Sequence, residues 1–199
     1  MKRILEFGGI IAGIVLIAFG AAAIYMGIDG RQTVRDSLKA EQIYFGSVED
    51  EAVATHAKQW AEKQVVTGEQ ARAFGFVIRE HALAMNEGLT YAQMGRFVAA
   101  ADPSDLKGTS DPAAALKGED GEPVPNMARN SWVTATALTT ALNMSYMAEQ
   151  TALFGIVVGV ALLLTGIGLI ILAFAVLGGL FAPREEKAPA ARTTVVPAA

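Results

Sequence analysis

Few residues in this chain have side chains that could do chemistry. There are two histidines, His56 and His81, and no cysteine. Thiolate nucleophiles, thiolate metal sites and disulfides are therefore excluded. An imidazole needs a partner before it can act as a base or a metal ligand. Glu51 and Glu62 lie near His56 in sequence, and Glu80 and Glu87 near His81. A two-histidine, one-carboxylate iron site would need His56 and His81 to converge, which their spacing does not dictate. With no H-x-x-x-H pair, each imidazole is expected to be held by a structural partner, with no metal and no cofactor. Neither a G-x-S-x-G elbow nor a phosphate-binding glycine loop is present. The acidic runs Glu49-Asp50-Glu51 and Glu119-Asp120-Glu122 match no calcium loop and read as solvated faces. Asn143-Met144-Ser145 fits the glycosylation sequon but falls within a helical pattern close to an apolar segment.

One set of side chains is richer in hydrogen-bonding capacity: Tyr91, Gln93 and Arg96, together with Arg129, Asn130 and Trp132. They could line a small-ligand or partner site. The preferred reading is that they fix the loop 101–127 onto the helices. No nucleophile, base and orienting group occur together among them. No catalytic residue is assigned, and the chain does not read as an enzyme.

The frame that must position these groups is membrane-borne. Of the 199 residues, 52% are hydrophobic and only 18% charged, more apolar than a soluble domain. The excess sits in two places. Phe7 to Ile28 is 22 residues without a charge, and Leu153 to Ala182 is 30. A bilayer crossing needs about 20 apolar residues. The expected organisation is a cytoplasmic N-terminus (1–6), a first span (7–28), a helical extracytoplasmic domain (29–152), a second span (153–182) and a disordered cytoplasmic tail (183–199). Lys2 and Arg3 before the first span, and Arg184 and Lys187 after the second, place both termini in the cytoplasm. A signal peptide competes for the first segment, with Ala21-Ala22-Ala23 as its cleavage site. That site lies inside the apolar run, which exceeds the length of a cleaved core, so a retained span is the preferred reading.

Residues 29–150 carry 11 basic and 17 acidic groups. This acidity argues against binding nucleic acid or an anionic lipid surface. The pattern there is helical. Ser47 with Asp50 opens a helix through about Glu62. Thr67 with Gln70 forms a capping box that opens a helix to about Asn86, closed by Gly88, with Ala71, Phe74, Ile78, Ala82 and Met85 on its apolar face. Thr90 caps a short helix holding Tyr91, Met94, Phe97 and Val98. Pro103, Pro112, Pro123 and Pro125 mark residues 101–127 as a polar loop with little strand character. From about Asn130 one long helix runs into the second span and on to Phe181, and residues 34–38 suggest that the first span also projects outward. The fold class is thus an all-α membrane protein.

Glycines recur on both spans. Gly13, Gly20 and Gly27 follow at sevens on the first. On the second, Gly155 pairs with Gly159, and Gly159 and Gly166 are again seven apart. Small residues so spaced share one helix face and let backbones approach. The two faces could meet within one chain or between chains.

Tyr91-Ala92-Gln93-Met94-Gly95-Arg96-Phe97, Ala128-Arg129-Asn130-Ser131-Trp132-Val133-Thr134 and Thr136-Ala137-Leu138-Thr139-Thr140-Ala141-Leu142-Asn143 resemble signatures of a family of small actinobacterial two-span membrane proteins. The likeness covers nearly the whole chain. It implies a bacterial inner-membrane location. Members often carry the label of aromatic ring-opening dioxygenase. That chemistry needs an iron held by histidine and carboxylate, for which only His56 and His81 are on offer. The family has no assigned catalytic residues to carry over.

The leading expectation is a structural or interaction protein, a scaffold or accessory subunit of an envelope or membrane complex. Its partners would be the bilayer and either another protein or a second copy, with no nucleic acid. The alternatives are an extracytoplasmic sensor or small-ligand module with a pocket near Tyr91, Arg96 and Trp132, and, more weakly, an iron-dependent dioxygenase.

Overall fold

The computed structural model describes residues 2–177, so the tail at 183–199 and the end of the second span lie outside the described residues. All regular elements are helical. Helix α1 is Lys2–Ala40, α2 Glu51–His56, α3 Gly68–Met85 and α4 Met127–Leu172, followed by a π-helical turn, Ala173–Leu177. No named strand occurs among the described residues. The segments Phe7–Ala40 and Met127–Ala175 are each long and apolar enough to cross a bilayer. Only 11% and 17% of their most apolar stretches are buried, so neither is the core helix of a soluble fold. Packing divides the chain into two units.

Of the described residues, the first unit joins 2–22 to 159–177. Here α1 and α4 run antiparallel and touch through glycine. A Cβ on Gly20 would stand 2.6 Å from the carbonyl oxygen of Gly159, and one on Gly13 would stand 2.7 Å from that of Gly166. The relation is mutual, since a Cβ on Gly166 would stand 2.6 Å from the Gly13 oxygen. Backbone meets backbone at these points, so any side chain there would force the helices to shift. Large side chains on the remaining faces, among them Ile11, Phe19, Leu164 and Ile171, point outward.

The second unit, Ala23–Val158, holds the core. Leu38 from the end of α1, Phe45, Val53 from α2, Val65, Val77 from α3 and Leu142 from α4 are all buried together. Phe45 stacks on Trp60 and meets the edge of Phe74. Ala82, Met94 and Trp132 form a smaller second cluster. In this unit Gly27 repeats the close approach, with a Cβ position 2.6 Å from the oxygen of Ala152. Gly155 departs from the pattern, because a Cβ there would meet nothing nearer than the Ala23 oxygen at 3.8 Å.

Helix α3 follows its sequence closely. The Thr67 hydroxyl accepts the Gln70 N–H, and the Gln70 side chain accepts the Thr67 N–H, closing the capping box. Its C-terminal end turns at Gly88, whose φ of +79° lets its N–H reach the Leu83 carbonyl at 2.7 Å. The expected apolar face fails only at its C-terminal end. Met85 is exposed, while Ala73, Gly75 and Val77 bury a second side.

Three expectations need correction. The helix expected to open at Ser47 and run to about Glu62 is shorter at both ends: Asp50, not Ser47, is its N-cap, and it stops at His56. Residues 62–65 must turn back to pair with 43–46, through Glu62 N–H to Gly46, Phe45 N–H to Lys63 and Val65 N–H to Ile43. Continuing the helix would forfeit those bonds. The short helix expected over Tyr91–Val98 is a single 3₁₀ turn, Tyr91–Gln93. Beyond it the chain extends, because Phe97 bonds both ways with Thr109, and Val98 bonds Val124 and Leu116. Residues 101–127 are a loop without a strand, as expected, tied down by turns and isolated single-residue bridges. Finally, α4 starts at Met127, three residues before Asn130, because the Asn126 carboxamide accepts the N–H groups of Ala128 and Arg129.

Candidate functional site

The most connected polar site was not read from the sequence. Glu149 lies on α4 and is only 7% exposed. One carboxylate oxygen accepts from Arg31 Nε and Nη2 at 3.4 and 3.3 Å and from Arg35 Nε at 3.2 Å. The other accepts the backbone N–H of Gly68, the first residue of α3, at 2.6 Å. A buried carboxylate at a helix N-terminus is favoured by the free N–H groups there. Helices α1, α3 and α4 are thereby tied at one point. The signal was available, since Glu149 is the one charged residue between Arg129 and Arg184. Arg31 and Arg35 continue on α1 to Lys39, and with Ile28, Gln32, Asp36 and Ile156 they line an open groove of about 370 Å³.

The two histidines sit on the α2–α3 pair, each with its own carboxylate. His81 donates to Asp50 at 3.0 Å, and His56 pairs with Glu80 at 2.5 Å. Asp50 is also the N-cap of α2, accepting the N–H groups of Ala52 and Val53. The His81 hydrogen bond holds the Asp50 carboxyl below the usual carboxylate range; the two cap bonds act the same way and partial desolvation opposes them. Among the described residues, no three His, Asp or Glu groups gather as a metal site would require.

The residues singled out around Tyr91 separate into two groups. Arg129 lays its guanidinium over the Tyr91 ring at 3.9 Å, and Trp132 is buried beneath Arg79 at 5.3 Å. Tyr91 and Trp132 share an open groove of about 520 Å³ with Val133, Thr136 and Ala137. The other three are used elsewhere. Gln93 accepts the Thr90 N–H, Arg96 stacks on Phe97, and Asn130 reaches only the Met127 sulfur. Two buried donors near this region, Asn86 Nδ2 and Arg129 Nε, have no acceptor. Neither an acid–base pair nor a nucleophile faces the groove.

Apolar surface is left open on α4 outside the charge-free run. Val133, Met144 and Met147 are 48%, 63% and 57% exposed, and fall on one side of the helix. Met144 and Met147 also line a groove of about 740 Å³ with Ala23, Met26 and Gly27 of α1.

No protein-family model, no curated protein and no solved structure matches this chain.

Proposed function

We propose that the chain is a two-span bacterial inner-membrane protein, both termini cytoplasmic, that serves as a scaffold or accessory subunit by docking another membrane or envelope protein. The observation that carries this reading is the unfilled apolar side of α4 at Val133, Met144 and Met147. An apolar side of this kind is complementary to an apolar partner surface, and methionine adapts its shape to one. The polar groups nearby are mostly spent on internal capping and stacking. Lys2 and Arg3 precede the first span and Arg184 and Lys187 follow the second, in keeping with cytoplasmic termini, while the intervening section is too long for its own Lys and Arg to decide the orientation. The resemblance to actinobacterial two-span proteins favours the same membrane.

The test is a photo-crosslinking residue at Met144 in native membranes, with Lys58 as the control position. A discrete adduct from Met144 alone supports the docking role. Equal, diffuse adducts from both positions would remove it.

A second reading, a small-ligand sensor, is favoured by the unpartnered Arg129 Nε beside the Tyr91–Trp132 groove. It expects a small molecule to co-purify with the native protein and to be lost from Tyr91→Ala. A ring-opening dioxygenase finds less support, because His56 and His81 each face a separate carboxylate.

A further inference from the structure

We infer that the groove beside Arg31, Arg35 and Lys39 binds the phosphate of an anionic phospholipid, with an acyl chain lying along Ile28 and Ile156. The inference rests on the two-span reading and adds a specific lipid to it.

Arg31, Arg35 and Lys39 are one turn apart on α1 and line the same groove. Against these three cations stand Glu149 and Asp36, so the groove keeps an excess positive charge. The arginines are also under-used. A guanidinium carries five N–H donors. Arg31 spends two on Glu149 and Arg35 spends one, all at 3.2 to 3.4 Å and all on the same oxygen. The second Glu149 oxygen accepts the Gly68 N–H and takes no hydrogen bond from either arginine. Arg31 and Arg35 keep 34% and 43% of their side-chain surface and both line the groove, so they are accessible from it. Among the described residues the Lys39 ammonium pairs only with Asp36, at 3.8 Å.

The groove is two-faced. Its cationic wall starts one turn beyond Ile28, the last residue of the charge-free run, and Ile156 from α4 closes its apolar end. That sequence of apolar floor and cationic rim matches a phospholipid at the headgroup level, where a free phosphate would leave the isoleucines unused. The net acidity of residues 29–150 does not oppose this. Exposed charges more than about 10 Å away are screened at ordinary salt, so the local cluster decides.

The full chain, purified in mild detergent, would be offered equal amounts of phosphatidylglycerol and phosphatidylcholine, and bound lipid read by native mass spectrometry. Preferential retention of phosphatidylglycerol is expected. Each cation removed should weaken it about fivefold. Lys39→Gln is the first variant, since it disturbs only the loose Asp36 pair. Arg35→Gln adds to it, Arg35→Lys restores retention, and Lys58→Gln changes nothing. Equal retention of both lipids, or indifference to Lys39→Gln and Arg35→Gln, overturns the site. Displacement by millimolar inorganic phosphate at matched ionic strength would reassign it to a free anion and overturn the lipid. A chain that stays in solution without detergent and enters no vesicle would instead bring down the two-span reading, a result distinct from failed lipid selection.

Discussion

Glu149 and Gly68 meet at 2.6 Å across 81 residues of chain, a side-chain carboxylate of α4 against the first backbone N–H of α3. With Arg31 and Arg35 on the same carboxylate, this contact makes Glu149 the pin of the second unit. Glu149→Ala leaves two guanidiniums and a buried N–H without their acceptor. Since the arginines keep access to water, the cost is expected near the lower end for a broken buried pair, about 3 kcal/mol. Glu149→Gln preserves one acceptor and should cost about half as much. Chemical unfolding in micelles, followed by circular dichroism, reads both; unchanged midpoints would refute the role.

Gly20→Ala forces a methyl against the Gly159 carbonyl, where only 2.6 Å is available. Overpacking of this kind costs about 1–3 kcal/mol. Gly8→Ala and Gly168→Ala meet nothing within 4 Å and should be silent. Thermal unfolding of the three variants separates a packing face from glycine used indifferently. Similar behaviour of all three would mean the close approach is not maintained.

Acid should loosen α2 through Asp50. Its folded carboxyl titrates below the ordinary value of 3.8, so its contribution to stability is complete above that pH and is lost as pH falls through the lowered value. The difference in unfolding free energy between the wild type and Asp50→Asn is therefore expected to be constant above about pH 5 and to shrink below pH 4. A difference that instead grows in acid would contradict the His81 contact as the cause.

Since the chain has no cysteine, a single introduced one reports its own side of the membrane. In intact cells, Glu119→Cys should react with an impermeant maleimide, and Lys2→Cys only after lysis. The reverse pattern would invert the topology. Loss of the Lys2→Cys signal from the mature protein would show that the first span is cleaved.

Helices with local signals were legible in the sequence. Thr67 and Gln70 are three residues apart, and their reciprocal bonds depend on nothing beyond that turn. The long apolar runs of α1 and α4 were likewise self-evident. What escaped were features fixed by distant partners. The end of α2 is set by residues 43–46, and the path of Phe97 by Thr109 and Pro125. These are single-residue pairings without the alternation that marks a strand. Gly95 shows why: its Cβ position is taken by the Thr109 backbone, a crossing invisible to any local pattern. At the candidate site, Tyr91, Arg129 and Trp132 were brought together, whereas Gln93, Arg96 and Asn130 were drawn into local bonds. Glu149 was overlooked because its partners lie 114 and 118 residues away, although its isolation in an uncharged run was visible.

The glycine seams have a consequence for the order of synthesis. Arg31 precedes its partner by 118 residues. At roughly 5–20 residues per second, the ribosome needs about 6–24 s to make the intervening chain. For that interval the newborn α1 has no α4, and its glycine face is open to any neighbour that fits. Another nascent copy of the chain presents the same open face. Overproduction should therefore favour exchanged pairs, in which the last helix of one molecule closes on the first helix of the next.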